Sequence, residues 1–186
     1  SMTSLIDVEL MNNTAAAASG NGGGMHITGP GDSTISGGTV SGNTAALEGG
    51  GLWNGSGAMS VDGTTIDANA ASGAMANEGG GGIFNAGGSL TVANATISNN
   101  IADGASGSGG GILNDSGVLS VSDSEISGNT AVRAGGGIED NSVAGNTLLL
   151  SATNLMNNTA SAAPGNGGGL HITGPGNSSI LGGTVS

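Results

Sequence analysis

The sequence predicts an all-β solenoid, about six coils of 26–32 residues with three short strands in each, and three observations predict it. Aliphatic residues recur in three separate columns that keep one common register along the chain. Length varies at one corner of the repeat and almost nowhere else. The composition suits a narrow core: 41 of the 186 residues are Gly, with one Phe, one Trp and no Tyr. An interior without aromatic volume must be filled by Ile, Leu, Val, Met and Ala.

The first column is an aliphatic residue after a Gly triplet, at Met25, Leu52, Ile83, Ile112, Ile138 and Leu170, at intervals of 27, 31, 29, 26 and 32 residues. The second is an aliphatic residue followed three positions later by Asn. It gives Leu10/Asn13, Val40/Asn43, Ile66/Asn69, Ile97/Asn100, Ile126/Asn129 and Leu155/Asn158, and Val185 begins a seventh. The third lies five residues before the second, at Leu5, Ile35, Val61, Val92, Val121, Leu150 and Ile180. The stretch Gly109–Ala131, GGGILNDSGVLSVSDSEISGNTA, carries one complete set.

Each repeat then reads as three strands. The first is Gly-Gly-Gly-aliphatic-x-Asn. The second is of the Leu90-Thr91-Val92 kind, where alternation points both aliphatics inward. The third is of the Ala95-Thr96-Ile97-Ser98 kind, with Ile97 inward. A five-residue offset is odd, so one continuous strand would send the two columns to opposite faces. A bend at Asn94 and its counterparts returns both to the interior. Insertions concentrate between the Asn column and the next triplet, from Val132-Arg133-Ala134 up to Ala15 through Asn21. That pattern belongs to a solenoid with one permissive loop.

The Asn column, Asn13, Asn43, Asn69, Asn100, Asn129 and Asn158, reads as a structural turn ladder. Asn in a tight turn bonds its own turn backbone, tolerates left-handed geometry, and can stack on the Asn of the next coil. A longer period is superposed: residues 10–41 match residues 155–186 at 26 of 32 positions, 145 residues apart. The chain 1–186 therefore reads as one solenoid fragment, a 145-residue super-repeat plus the start of a second copy. Such copies imply a longer parent built of tandem blocks.

Composition excludes several classes. Gly without a G-X-Y period, and only three Pro, excludes collagen. Disorder is the main rival for a chain rich in Gly, Ser, Asn and Ala. Aliphatics at fixed offsets and a mean hydropathy of +0.11 argue against it. There are 13 acids against a single base, Arg133, for a net charge of −12. Binding to nucleic acid or to anionic membrane relies on Lys and Arg, which excludes both here. Without Cys there are no disulfides or thiolate metal sites. No apolar run approaches the roughly 20 residues a membrane helix needs, and no signal peptide is visible. The opening Ser-Met reads as a cloning remnant.

GGGILNDSGVLSVSDSEISGNTA and GGGIFNAGGSLTVANATISNNIA closely resemble the right-handed parallel β-helix repeats of large bacterial surface and secreted proteins. Similar repeats occur in polymorphic outer membrane proteins, with paired GGA[ILV] and FxxN motifs, and in adhesin-like autotransporter passengers. The triplet here is GGG in place of GGA, and the FxxN aromatic is aliphatic. The resemblance covers nearly the whole chain. It implies right-handed coils and a cell-surface or secreted bacterial protein of adhesive character. Such coils serve as stalks, adhesins and enzyme scaffolds alike.

Candidate sites are sparse. Asp7 and Glu9 share positions with Asp123 and Glu125 but lie four coils apart, roughly 19 Å at about 4.8 Å per coil. Glycosidase carboxylates sit within about 5–10 Å of each other, so no catalytic residue is assigned. The calcium-binding G-G-x-G-x-D nonapeptide is absent. Calcium could be held only at irregular surface sites, with Glu48, Glu78, Asp62 and Asp67 as weak candidates; no other metal or cofactor is expected. Solvated acids that keep a long solenoid soluble explain them as well. The Gly triplets lack the helix start and Lys of a phosphate cradle, and fit a tight corner or a close backbone approach.

Two outward columns remain. The residues after the triplet anchors are His26, Trp53, Phe84, Leu113, Glu139 and His171. Trp53, Phe84 and Leu113 would form either an exposed apolar stripe or a surface covered by the variable loops. If exposed, they and His26 and His171 are candidates for binding a host or neighbouring-cell surface protein or a glycan. The second column pairs Thr39/Ser41, Thr65/Asp67, Thr96/Ser98 and Thr184/Ser186, a hydroxyl array of the kind ice-binding helices use, interrupted by Glu125 and Asn154. The expected function is a non-catalytic structural or adhesive stalk segment. A carbohydrate-binding or carbohydrate-processing module is the alternative, and an ice-binding face a minor one. Open coil edges add an expectation of end-to-end self-association.

Overall fold

The computed structural model describes residues 2–163 and 165–186. They form a parallel β-solenoid of about six turns, and every strand pair joins one coil to the next. Seven-stranded stacks at about 4.8 Å per strand make it roughly 30 Å long.

Four sheets run along the axis. The triplet sheet holds Met25–Ile27, Leu52–Asn54, Ile83–Ala86, Ile112–Asp115, Ile138–Asn141 and Leu170–Ile172. The second holds Met2–Ile6, Asp32–Ser36, Ala58–Asp62, Ser89–Ala93, Val118–Ser122, Thr147–Ser151 and Asn177–Leu181. The third holds Glu9–Met11, Thr39–Ser41, Thr65–Asp67, Thr96–Ser98, Glu125–Ser127, Asn154–Met156 and Thr184–Val185. These three were expected. The fourth, of two-residue strands such as Thr44–Ala45 and Ile101–Ala102, follows each Asn and was not. Its only inward side chain is the recurrent Ala, buried at Ala45, Ala71, Ala102 and Ala131, too short a pattern to register as a strand.

All three aliphatic columns are in register. Met25 pairs Leu52, Val40 pairs Ile66, and Ile35 pairs Val61, and each column continues through the chain. Their side chains make one core in which Val61, Ile66, Ile83, Val92, Ile97, Val121 and Ile126 are wholly buried. Fully burying such a side chain contributes about 1.5–3 kcal/mol.

The bend between the second and third sheets lies where the odd offset requires it. Asp7, Gly37, Gly63, Asn94, Asp123, Ala152 and Gly182 all have positive φ, from 46° to 70°. A second left-handed column, Asn12, Gly42, Ala68, Asn99, Gly128 and Asn157, immediately precedes the Asn ladder. The ladder Asn residues themselves therefore do not supply the left-handed turn.

Each Gly of a triplet has its own reason. Gly80 has φ +63°; a Cβ on Gly81 would run into the carbonyl of Ile101; one on Gly82 would lie 2.6 Å from the oxygen of Gly111. The triplet is thus both a tight corner and a close approach of one coil to the next.

Candidate functional site

Two polar ladders line the interior. In the first, Asn43 Nδ2 donates to Asn69 Oδ1 at 2.9 Å, Asn69 to Asn100 at 2.9 Å, and Asn100 to Asn129 at 2.9 Å. Each Oδ1 also accepts the backbone N–H of the previous Asn, as Asn100 Oδ1 does from Asn69 at 2.9 Å. Each Nδ2 donates again to a carbonyl one coil back, Asn100 to Ile66 O at 3.0 Å. Asn13 and Asn158 extend the same pattern. These amides bond neighbouring coils and not their own turn, the reverse of an ordinary turn Asn. Fully bonded, these buried amides avoid the penalty of an unpaired polar group.

The second ladder was not singled out in the sequence. Asn54 Nδ2 donates to Asn85 Oδ1 at 2.7 Å, Asn85 to Asn114 at 2.7 Å, and Asn114 to Asp140 Oδ1 at 2.6 Å. The ladder has a direction, with donors facing the C-terminal side. It ends on a carboxylate that needs only to accept, whose other oxygen takes the Ser142 hydroxyl at 2.8 Å. At the opposite end Asn54 Oδ1 is buried without a partner, because Ile27 occupies the preceding rung. The signal was available: Asn stands two residues after Leu52, Ile83 and Ile112, which alternation turns inward.

The column after the triplet anchors lies on the outer face of the triplet sheet. His26, Trp53, Phe84, Leu113, Glu139 and His171 stack in register. His26 stacks on Trp53 at 4.2 Å, and Trp53 lies parallel to Phe84 at 6.2 Å between ring centres. The exposed apolar stripe is not found. Phe84 and Leu113 are only 2% and 1% exposed, Trp53 is half-buried, and His26 alone is open. The Gly that starts each triplet lies against this column: a Cβ on Gly49 would touch Trp53 and one on Gly109 would touch Leu113. The loops that vary in length thus lead into a corner that closes over the column.

Glu139 occupies the same column and is 1% exposed. Its carboxylate is fully engaged: Oε1 accepts from Arg133 at 3.1 Å and from Thr173 Oγ1 at 3.2 Å, and Oε2 lies 2.7 Å from His171 Nδ1. Arg133 also donates through Nε to Ser108 Oγ at 2.9 Å and to Ala76 O at 3.2 Å. The single base of the chain holds three successive loops to one buried acid.

The remaining acids are spread along the surface. Asp62 accepts from Asn94 at 2.8 Å, and Asp67 from Ser98 at 2.7 Å and Asn99 at 2.8 Å, each across one coil. Glu78 Oε2 accepts the Met75 N–H at 2.9 Å within its own loop. Glu48 and Glu78 do not share a column: Gly49 N–H bonds Gly79 O as Gly22 N–H bonds Glu48 O, so Gly79 is the counterpart of Glu48. Burial pushes the Glu48 carboxyl above its ordinary range; its hydrogen bond from Trp53 Nε1, at 3.0 Å, works the other way, and the field of Glu78 adds to the rise. Among the described residues, no three of His, Cys, Asp and Glu gather as a metal site would require. Asp7 and Asp123 sit at equivalent corners, and Glu9 and Glu125 at equivalent strand positions.

The Thr column Thr39, Thr65 and Thr96 is in register on the third sheet, and Glu125 and Asn154 follow it directly. No protein-family model, curated protein or solved structure matches this chain.

Proposed function

We propose that this chain is a non-catalytic structural and adhesive stalk segment of a large bacterial cell-surface or secreted repeat protein, of the polymorphic outer membrane or autotransporter passenger kind. One observation carries the reading: side chains that could do chemistry are spent on joining coils. Glu139 binds Arg133 and His171, Asp140 ends an amide ladder, and Asp62 and Asp67 accept from the next coil. A rod built this way resists bending through continuous backbone ladders and presents its differences only in surface loops. Weak end-to-end self-association through the open coil edges belongs to the same proposal. Antibody or protease labelling of intact cells tests the location: labelling without permeabilisation is expected, and labelling only after lysis would overturn it.

A carbohydrate-binding role is the second reading, favoured by the open ring of His26 stacked on the half-buried Trp53 beside Glu48. Glycan-array binding abolished by Trp53→Ala would support it, and an array without hits would remove it.

A further inference from the structure

The C-terminal edge of the solenoid is a copy of a surface whose covering the structure already shows. Four strands are repeated 145 residues later, so that Thr14–Ala15, Met25–Ile27, Asp32–Ser36 and Thr39–Ser41 recur as Thr159–Ala160, Leu170–Ile172, Asn177–Leu181 and Thr184–Val185. In the first copy these strands are capped by Thr44–Ala45, Leu52–Asn54, Ala58–Asp62 and Thr65–Asp67. Capping makes Ile35 2% and Val40 0% exposed, whereas their counterparts Ile180 and Val185 are 50% and 59% exposed.

The two edges differ almost only where a cap would not touch. Of the six differences between residues 10–41 and 155–186, Ser19/Pro164 falls outside the described residues, and of the other five only Met25/Leu170 faces the interior. The remaining four are Ala16/Ser161, Asp32/Asn177, Thr34/Ser179 and Ser36/Leu181, which are loop or outward positions by alternation. We infer that the C-terminal edge is a docking surface for one further coil of the residue 42–71 type. Such a coil would set Leu52 on Leu170, Val61 on Ile180, Ile66 on Val185 and Asn43 on Asn158, reproducing the pairs seen in the first copy. Its Trp would lie on His171, which already bonds Glu139 on its other side.

A whole second copy fits less well. The first described strand, Met2–Ile6, lies in the second sheet and the last, Thr184–Val185, in the third. A copy abutting both would leave one strand missing in the triplet sheet and one in the fourth. A coil beginning with its short Thr-Ala strand fills both gaps. This inference stands whether or not the segment is adhesive.

The test appends residues 42–71 directly after Ser186, and compares this chain with one whose extension lacks its Asn43 copy, which breaks the register. In the matched extension, backbone amides of Leu170–Ile172, Asn177–Leu181 and Thr184–Val185 should gain at least about tenfold protection from hydrogen exchange. With Trp53→Phe in the body, the emission of the added Trp should shift to the blue. The mismatched extension should do neither. Equal behaviour of the two extensions would overturn the inference. So would an unextended chain whose edge amides become equally protected on concentration, since whole copies would then be the better partner.

Discussion

Asn69 and Asn100 stand directly one above the other, and Asn100 Oδ1 accepts both the side-chain and the backbone N–H of Asn69, each at 2.9 Å. One oxygen thereby fixes a side chain and a turn of the preceding coil. Asn100 in turn bonds Asn129 through its own N–H and Nδ2. Repeated through the stack, this arrangement ties each coil to its neighbours, with no ladder Asn reaching further.

Replacing Asn100 by Ala takes the acceptor from two N–H groups of Asn69 and removes one bond to the carbonyl of Ile66 in a dry interior. Each buried unpaired group costs about 1–3 kcal/mol, so urea denaturation of Asn100→Ala should show a loss of about 3–5 kcal/mol. Asn54→Ala should cost less than Asn85→Ala, because Asn54 Oδ1 accepts nothing whereas Asn85 Oδ1 does.

Arg133 spans Ser108, Ala76 and Glu139 with one guanidinium. Arg133→Ala leaves a buried carboxylate short of its charged partner, and breaking such a pair costs about 3–5 kcal/mol. Arg133→Lys should recover little, because an ammonium lacks the planar fork. Denaturation midpoints in low and high salt should shift alike, since the pair is largely shielded from solvent.

Glu48 gives a pH dependence of defined sign. Burial raises its carboxyl above the ordinary 4.5 in the folded state, so between that value and the raised one the folded chain binds the proton and the unfolded chain releases it. The stabilising effect is complete below 4.5 and is lost as pH rises through the folded value. Stability of the wild type relative to Glu48→Gln should therefore fall with rising pH across that window. A rise would contradict the assignment.

Ala68 holds φ +54° in a column whose neighbours are Gly42 and Asn99. A left-handed Ala costs roughly 1–2 kcal/mol, so Ala68→Gly should stabilise by about 0.5–1 kcal/mol after the entropy of Gly is allowed for. Gly82→Ala, whose Cβ would meet the Gly111 carbonyl, should destabilise strongly. Thermal melts of the pair separate strain from steric exclusion.

The fold was legible in the sequence because a solenoid repeats its core pattern: the aliphatic columns and the Asn94 bend could be read by counting. The fourth sheet was not, since two residues with one inward Ala carry no periodicity. The outward column showed the opposite limit. Trp53, Phe84 and Leu113 alternate correctly to face away from the core, yet alternation cannot tell that Gly-led loops close over them. Glu139 is the one acid of that column. Its burial depends on Arg133 and His171, which lie on other loops and coils and meet it only after folding.

The claim that each Asn of the ladder couples only to the coils next to it is tested most directly by double-mutant cycles in urea. Asn69→Ala with Asn100→Ala should be coupled by about 1 kcal/mol or more, and Asn69→Ala with Asn158→Ala, on rungs that share no hydrogen bond, should be additive within about 0.5 kcal/mol. Additivity in the first pair, or coupling of equal size in the second, would contradict the account.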